Sequence, residues 1–246
     1  MLVRLQAAGE AHDLRCVLVR PQRVAEARSK AAGRFAVVDR IESLLELAPG
    51  MVVECAGHGA MREFAPAVLV HGTDLLCSSV GVLADPGFEA RVRPHAQHLW
   101  IPSGAVAGID GLLAARSAGL RRVTYTSVKP PLAWKGTPGE SRIGSERTAF
   151  FEGSAREAAT QYPKNANVGA TVAFAGLGLD RTVVRLVSDP AAPGPLGIID
   201  AEGDFGTFRF EILAYASPRN PKTSLLTAHS LLAALREGMR FRLLRD

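Results

Sequence analysis

Along the first 130 residues, short apolar runs alternate with stretches whose leucines and alanines fall at helical spacing. "LRCVLVR" (14–20) precedes a polar, alanine-rich segment at about 22–32, and "FAVVD" (35–39) precedes "RIESLLELA". "MVVECAG" (51–57) leads into a helix through "MREFAPAVLVHG". "DLLCSSVG" (74–81) is followed by a helix near 86–97, and "HLWIPSG" (98–104) by "AVAGIDGLLAARSAG". Short strand-like runs between helices are the mark of βαβ units on a parallel sheet. Runs that are apolar on both faces need helices on both sides, so the expected fold class is α/β with a Rossmann-like, doubly wound parallel sheet. Residues 1–11 read as the last turns of a helix, which makes the sheet incomplete at its N-terminal end.

The rhythm changes after "RRVTYTSVKPP". Residues 131–147 are loop-like by their Pro, Gly and Ser content. Helical stretches are expected at about 148–161 and 166–177, then strands at 181–190, 196–203 and 205–218. The tight "EGDFG" connection predicts an antiparallel hairpin. A last helix over 222–238 has apolar residues on one face and Gly238 as its C-cap. The expected organisation is a Rossmann-like domain over 1–130, on which the last helix can pack back, and a smaller α+β domain over 131–246.

Composition narrows the class. A chain of 246 residues, 47% hydrophobic and 22% charged, can bury one sizeable core or two smaller ones sharing an interface. The net charge of +5 is spread along the chain without a basic block, which favours a solvated surface over a nucleic-acid partner. A basic cleft would also suit an anionic substrate or cofactor. Cys16, Cys55 and Cys77 show no metal-ligand spacing and read as buried hydrophobes in a reducing compartment. The histidines show no metal spacing either, so no metal is expected. No apolar run reaches membrane-spanning length and no signal peptide is visible, which points away from membranes and to the cytoplasm.

Three glycine-bearing turns follow predicted strands: "AGHGA" (56–60), "SSVGVLAD" (78–85) and "IPSGAVAG" (101–108). Glycine lets backbone approach a ligand closely, and strand ends of an open α/β sheet are where ligands bind. "YPKNANVGA" places Lys164, Asn165 and Asn167 before a small-residue helix whose first amides lack intrahelical partners. Such a start can hold an anion or a carboxamide; plain capping by Asn165 is the competing reading. In "NPKTS", Thr223 or Ser224 can cap the last helix. Lys222 there adds a cation at the positive helix end, unfavourable unless an anion sits nearby or the lysine is solvated. Neither a nucleophile elbow nor a Walker loop is present.

Taken in order, "SSVGVLAD", "IPSGAVAGIDGLLAA", "YPKNANVGATVAFAGLGLD", "VSDP", "EGDFG" and "NPKTSLLTAHS" make the chain resemble the L-aspartate dehydrogenase family. The resemblance implies a Rossmann domain joined to an α+β domain used for substrate binding and dimerisation. It also implies oxidation of L-aspartate to iminoaspartate with NAD or NADP, feeding NAD biosynthesis, in a homodimer. Its cofactor contacts fall on Ala105 and Asn167, with Gly57 and Ser79 bordering the same crevice. The lysines expected to serve the dicarboxylate are Lys164 and Lys222.

The chain departs from that family in two places. The family's first strand and Gly-x-Gly-x-x-Gly turn are absent, implying a start downstream of the true one or a truncated gene, and weak cofactor binding. The family's catalytic histidine falls on Gly197, which leaves open a dehydrogenase for another amino acid, or a binding module that has lost its chemistry. Arg20, with Arg23 close by and no acid between them, tilts the choice toward NADP; two solvated arginines are the alternative.

Overall fold

Each apolar run of the first half forms a strand in the computed structural model, which describes residues 14–163, 166–217 and 220–243. In chain order these are β1 (Cys16–Leu18), α1 (Val24–Ala31), β2 (Ala36–Val38), α2 (Ile41–Leu45), β3 (Met51–Glu54) and α3 (His58–Val70). Then come β4 (Asp74–Cys77), α4 (Pro86–Val92), β5 (Leu99–Pro102), α5 (Ile109–Ser117) and β6 (Leu120–Lys129). β3, β4 and β5 are shorter than their apolar runs because the glycine and serine ends of those runs form the turns. The expected helical tail at residues 1–11 lies outside the described residues.

β1 and β2 pair in parallel as a two-stranded sheet, while β3, β4 and β5 form a parallel set. The mixed α/β architecture with a parallel Rossmann-like sheet is thus present. The second half adds β7 (Thr148–Ser154), α6 (Ala155–Gln161), α7 (Ala166–Ala175), β8 (Val183–Ser188), β9 (Leu196–Gly203) and β10 (Gly206–Leu213). It closes with β11 (Ala216–Ser217), β12 (Asn220–Ser224), α8 (Leu225–Arg236) and β13 (Arg240–Arg242). A five-stranded sheet runs β10-β9-β6-β8-β7, and the "EGDFG" hairpin is antiparallel with Gly203 opposite Gly206.

Four expectations need correction. Residues 148–154 form a strand, not a helix. Their aromatic pair, Phe150 and Phe151, packs against the rings of Trp134 and Tyr162, and a capping box fixes the helix start later: Ser154 Oγ accepts from the Glu157 N–H (3.1 Å) while Glu157 Oε2 accepts from the Ser154 N–H (2.7 Å). The sheets change over before residue 120 rather than at 130, because β6 is the middle strand of the five-stranded sheet. The last helix starts at Leu225, with the Ser224 hydroxyl accepting from the Leu226 N–H, and Lys222 lies in β12 instead of at the helix start. Cys55 is exposed just past the end of β3, whereas Cys77 is buried in β4.

One apolar core continues from the parallel strands through the buried 3-10 segment Val80–Ala84 into α7 and the five-stranded sheet. The C-terminal elements return to the first sheet. β13 pairs antiparallel with β5, and Leu231 and Ala234 of α8 pack on Leu76 beside Val53 and Trp100. The Trp100 ring lies under the guanidinium groups of Arg240 (4.8 Å) and Arg242 (4.3 Å), which clamps that return.

Candidate functional site

The parallel register sets Glu54 opposite Cys77 and Leu76 opposite Trp100. The C-terminal ends of β3, β4 and β5 are therefore level, and the turns after them share one edge. A single buried carboxylate ties two of these turns together. Glu54 Oε1 accepts from the N–H groups of Ala56 (2.7 Å) and Gly57 (2.8 Å) and from Ser79 Oγ (3.0 Å). Its Oε2 accepts from the Ser79 N–H (2.9 Å). Ser79 thus turns its hydroxyl inward, toward Glu54. Gly57 has φ +106°, a conformation suited to glycine, and a Cβ there would meet open space. It leads directly into α3, whose first amides face the same edge without intrahelical partners.

Asn167, in the first turn of α7, crosses to this edge. Its Oδ1 accepts from the Gly81 N–H (2.9 Å) and lies 2.9 Å from His58 Nε2. The backbone donor fixes which end of the amide is oxygen, so His58 Nε2 must carry the hydrogen it shares with Oδ1. The Asn167 NH2 group then faces away from both, as a donor for a carbonyl. Three elements, α3, the turn after β4, and α7, meet at this one side chain.

The other expected positions are less concentrated. Ala105 is half-buried in the turn after β5, next to Gly104 at φ +71°. Arg20 is exposed beyond β1, and Arg23 is paired with Glu26 at 2.7 Å. Lys164 lies outside the described residues, and Lys222 is placed by its backbone alone.

A second group of polar residues escaped the sequence reading. Tyr125, Ser127 and Lys129 alternate along β6 and so share its α7-covered face. Their cross-strand partners on that face include Gly197 opposite Ser127 and Ser188 opposite Lys129. The Tyr125 hydroxyl hydrogen-bonds with the Ser127 side chain, and burial pushes its pKa up to about 12. The Lys129 ammonium stands 5.0 Å from the Trp134 ring centre, and burial lowers its pKa to about 8. Trp134 is fully buried, donates from Nε1 to the Val187 carbonyl (3.2 Å), and meets Phe150 edge-on at 4.9 Å. Ser188 is fully buried, and its Oγ has no hydrogen-bond partner among the described residues. A Cβ on Gly197 would sit 3.3 Å from the Tyr125 hydroxyl. The one signal available in the sequence was a lysine ending a long β-branched run. Among the described residues no group of three or more His, Cys, Asp or Glu could hold a metal, and no helix is long and apolar enough to cross a membrane.

Comparison with known proteins supplies independent information. Residues 110–238 match the sequence model of the aspartate dehydrogenase C-terminal family, and residues 1–99 match that of the homoserine dehydrogenase NAD-binding domain. An L-aspartate dehydrogenase of Acinetobacter baumannii is 40% identical over 235 residues, covering 92% of this chain and 89% of that protein. One from Ralstonia nicotianae is 46% identical over 196 residues, covering 76% and 73%. The crystal structure of an aspartate dehydrogenase from Thermotoga maritima shares the fold, with a TM-score of 0.69 at 23% identity over 92% of this chain and 97% of that one.

Proposed function

The chain belongs to the L-aspartate dehydrogenase family, and we propose that it oxidises L-aspartate to iminoaspartate with NAD or NADP, as a cytoplasmic homodimer supplying NAD biosynthesis. The observation that carries this reading is the junction at Asn167, whose carboxamide is oriented by Gly81 and His58 at the strand-end edge of the parallel sheet.

The residues present fit a dinucleotide. The oriented NH2 of Asn167 suits a carboxamide carbonyl. The open Gly57 turn and the first amides of α3 suit a phosphate oxygen. When bound, the dinucleotide supplies the acceptor for hydride from the substrate Cα. The chain's own part is positional: Glu54 holds the two turns at fixed separation, and His58 with Gly81 keeps Asn167 from rotating. Ala105 borders the same edge from the turn after β5, and Arg20 favours the 2′-phosphate of NADP. Lys164 and Lys222 are assigned to the substrate carboxylates.

Absorbance of the reduced dinucleotide, followed with L-aspartate, D-aspartate, L-glutamate and L-alanine in turn, tests this. L-aspartate is expected to give the highest kcat/KM, and a higher value for another amino acid overturns the assignment. Gly197 favours a second reading, a dehydrogenase for a different amino acid. Under it, Gly197→His brings no gain in aspartate turnover; under the first, the added general acid/base raises turnover by roughly 10²-fold or more.

A further inference from the structure

We propose that Lys129 faces the substrate and takes the proton that its amino group gives up; this rests on the amino-acid oxidation proposed above. Three observations place it there. The first is direction. Gly169 of α7 lies beside Tyr125, whereas Gly176, just past the helix end, lies beside Val123. The helix therefore runs opposite to β6, and its N-terminal turn, carrying Asn167, extends toward Ser127 and Lys129. The carboxamide that orients the dinucleotide and the lysine occupy the same end of the fold.

The second observation is the surface between them. β9 contributes Gly197 opposite Ser127, so that strand adds no side chain beside Ser127, while Ile199 flanks Tyr125. A fully buried hydroxyl, Ser188 Oγ, stands cross-strand from Lys129 with no partner among the described residues. A buried hydroxyl left without a partner is destabilising. It is a fixed polar contact in place for an incoming carboxylate or amine.

The third observation is electrostatic. The ammonium of this half-buried lysine lies over the Trp134 indole, and desolvation lowers its pKa to about 8. Beside the lysine, Ser127, Ser188 and Trp134 carry no charge, and Tyr125, further along the same face of β6, stays protonated. Asp189, just past the end of β8, accepts from Arg147 (3.1 Å) and from the Ala191 N–H (2.9 Å). A lysine so tuned is a base at neutral to mildly alkaline pH, as catalytic lysines commonly are.

The step balances simply. An N–H bond of the substrate ammonium breaks and its electron pair stays on nitrogen as the lone pair that later forms the C=N bond. The proton binds Lys129 Nζ, converting the neutral amine to ammonium, and leaves afterwards to solvent.

The test reads Lys129 directly. Acetylation by limiting acetic anhydride, quantified by mass spectrometry across pH, should give Lys129 a midpoint near 8. L-aspartate with dinucleotide present should slow that acetylation at least fivefold. Lys129→Met should lower kcat/KM by roughly 10²–10⁴-fold while leaving dinucleotide Kd within twofold, and Lys129→Arg, which keeps charge but cannot act as a base, should behave like Met. Undiminished acetylation under saturating L-aspartate, or kcat/KM of the Met variant within threefold of the parent, overturns the proposal. Protection by L-aspartate in a parent protein that does not oxidise it supports the placement of Lys129 while refuting the proposed reaction.

Discussion

Removing the Glu54 carboxylate should both loosen the fold and open the cofactor edge, and the cost can be worked from its contacts. In Glu54→Ala, five donors lose their acceptor: the N–H groups of Ala56, Gly57 and Ser79, the Ser79 hydroxyl, and the Cys77 thiol, a weak donor at 3.9 Å. Ala56 is exposed and Gly57 half-buried, so water can replace Glu54 there. Ser79 is only 4% exposed, so its N–H and O–H stay dry. Two dry donors at about 1–3 kcal/mol each, with partial relaxation, put the loss at about 3 kcal/mol. For a chain of this length that lowers Tm by roughly 6–12 °C. Glu54→Gln keeps the shape but must aim its NH2 either at the Ser79 N–H or at those of Ala56 and Gly57, so an intermediate loss is expected. Urea unfolding followed by circular dichroism measures all three proteins, with dinucleotide Kd determined alongside. An alanine variant within about 0.5 kcal/mol of the parent would show that the carboxylate does not hold the turns together.

Three further outcomes follow from named contacts. Asn167→Asp keeps an acceptor for Gly81 and His58 but replaces the outward NH2 with oxygen; unchanged Tm with dinucleotide Kd raised about tenfold, near 1.4 kcal/mol, is expected by calorimetry, and unchanged Kd would refute the orientation argument. Gly108→Ala puts a Cβ 2.1 Å from the Phe210 ring at φ +80°; a loss of about 2 kcal/mol or more, partly recovered in Gly108→Ala/Phe210→Ala, is expected in urea. Lys129 has a folded pKa of about 8 against 10.5 unfolded, so the unfolded chain binds more protons between those values. Its charged form therefore costs stability below pH 8, and the cost is relieved as pH rises toward 10.5; unfolding free energies of parent and Lys129→Met should show this rise only in the parent.

The alternation of apolar runs made the parallel strands legible, since runs such as "MVVECAG" have no polar face to offer water. The hairpin at Gly203 and Gly206 and the cap at Ser224 were legible because turn and cap chemistry is local. The strand at 148–154 was not. "TAFFEGS" has no clean alternation, and its pairing with β8 is decided by residues some thirty positions away. The site failed to emerge for the same reason. Glu54 meets Ser79 across 25 residues, and His58 meets Asn167 across 109. Nothing local to "VVE" or "SVK" announces a shared carboxylate or a lysine whose ammonium is shielded by an indole. The resemblance pointed to Asn167 but not to the two neighbours that orient it.

The return of β13 to pair with β5 bears on how the molecule is made. Everything from β6 to α8 must leave the ribosome before the last strand can reach its place on the first sheet. The nucleotide-binding half therefore cannot be completed as an early, independent product of synthesis. Until β13 emerges, the outer edge of β5 stays open to stray strands, so the nascent chain carries an unpaired strand edge from the synthesis of β5 until β13 is made.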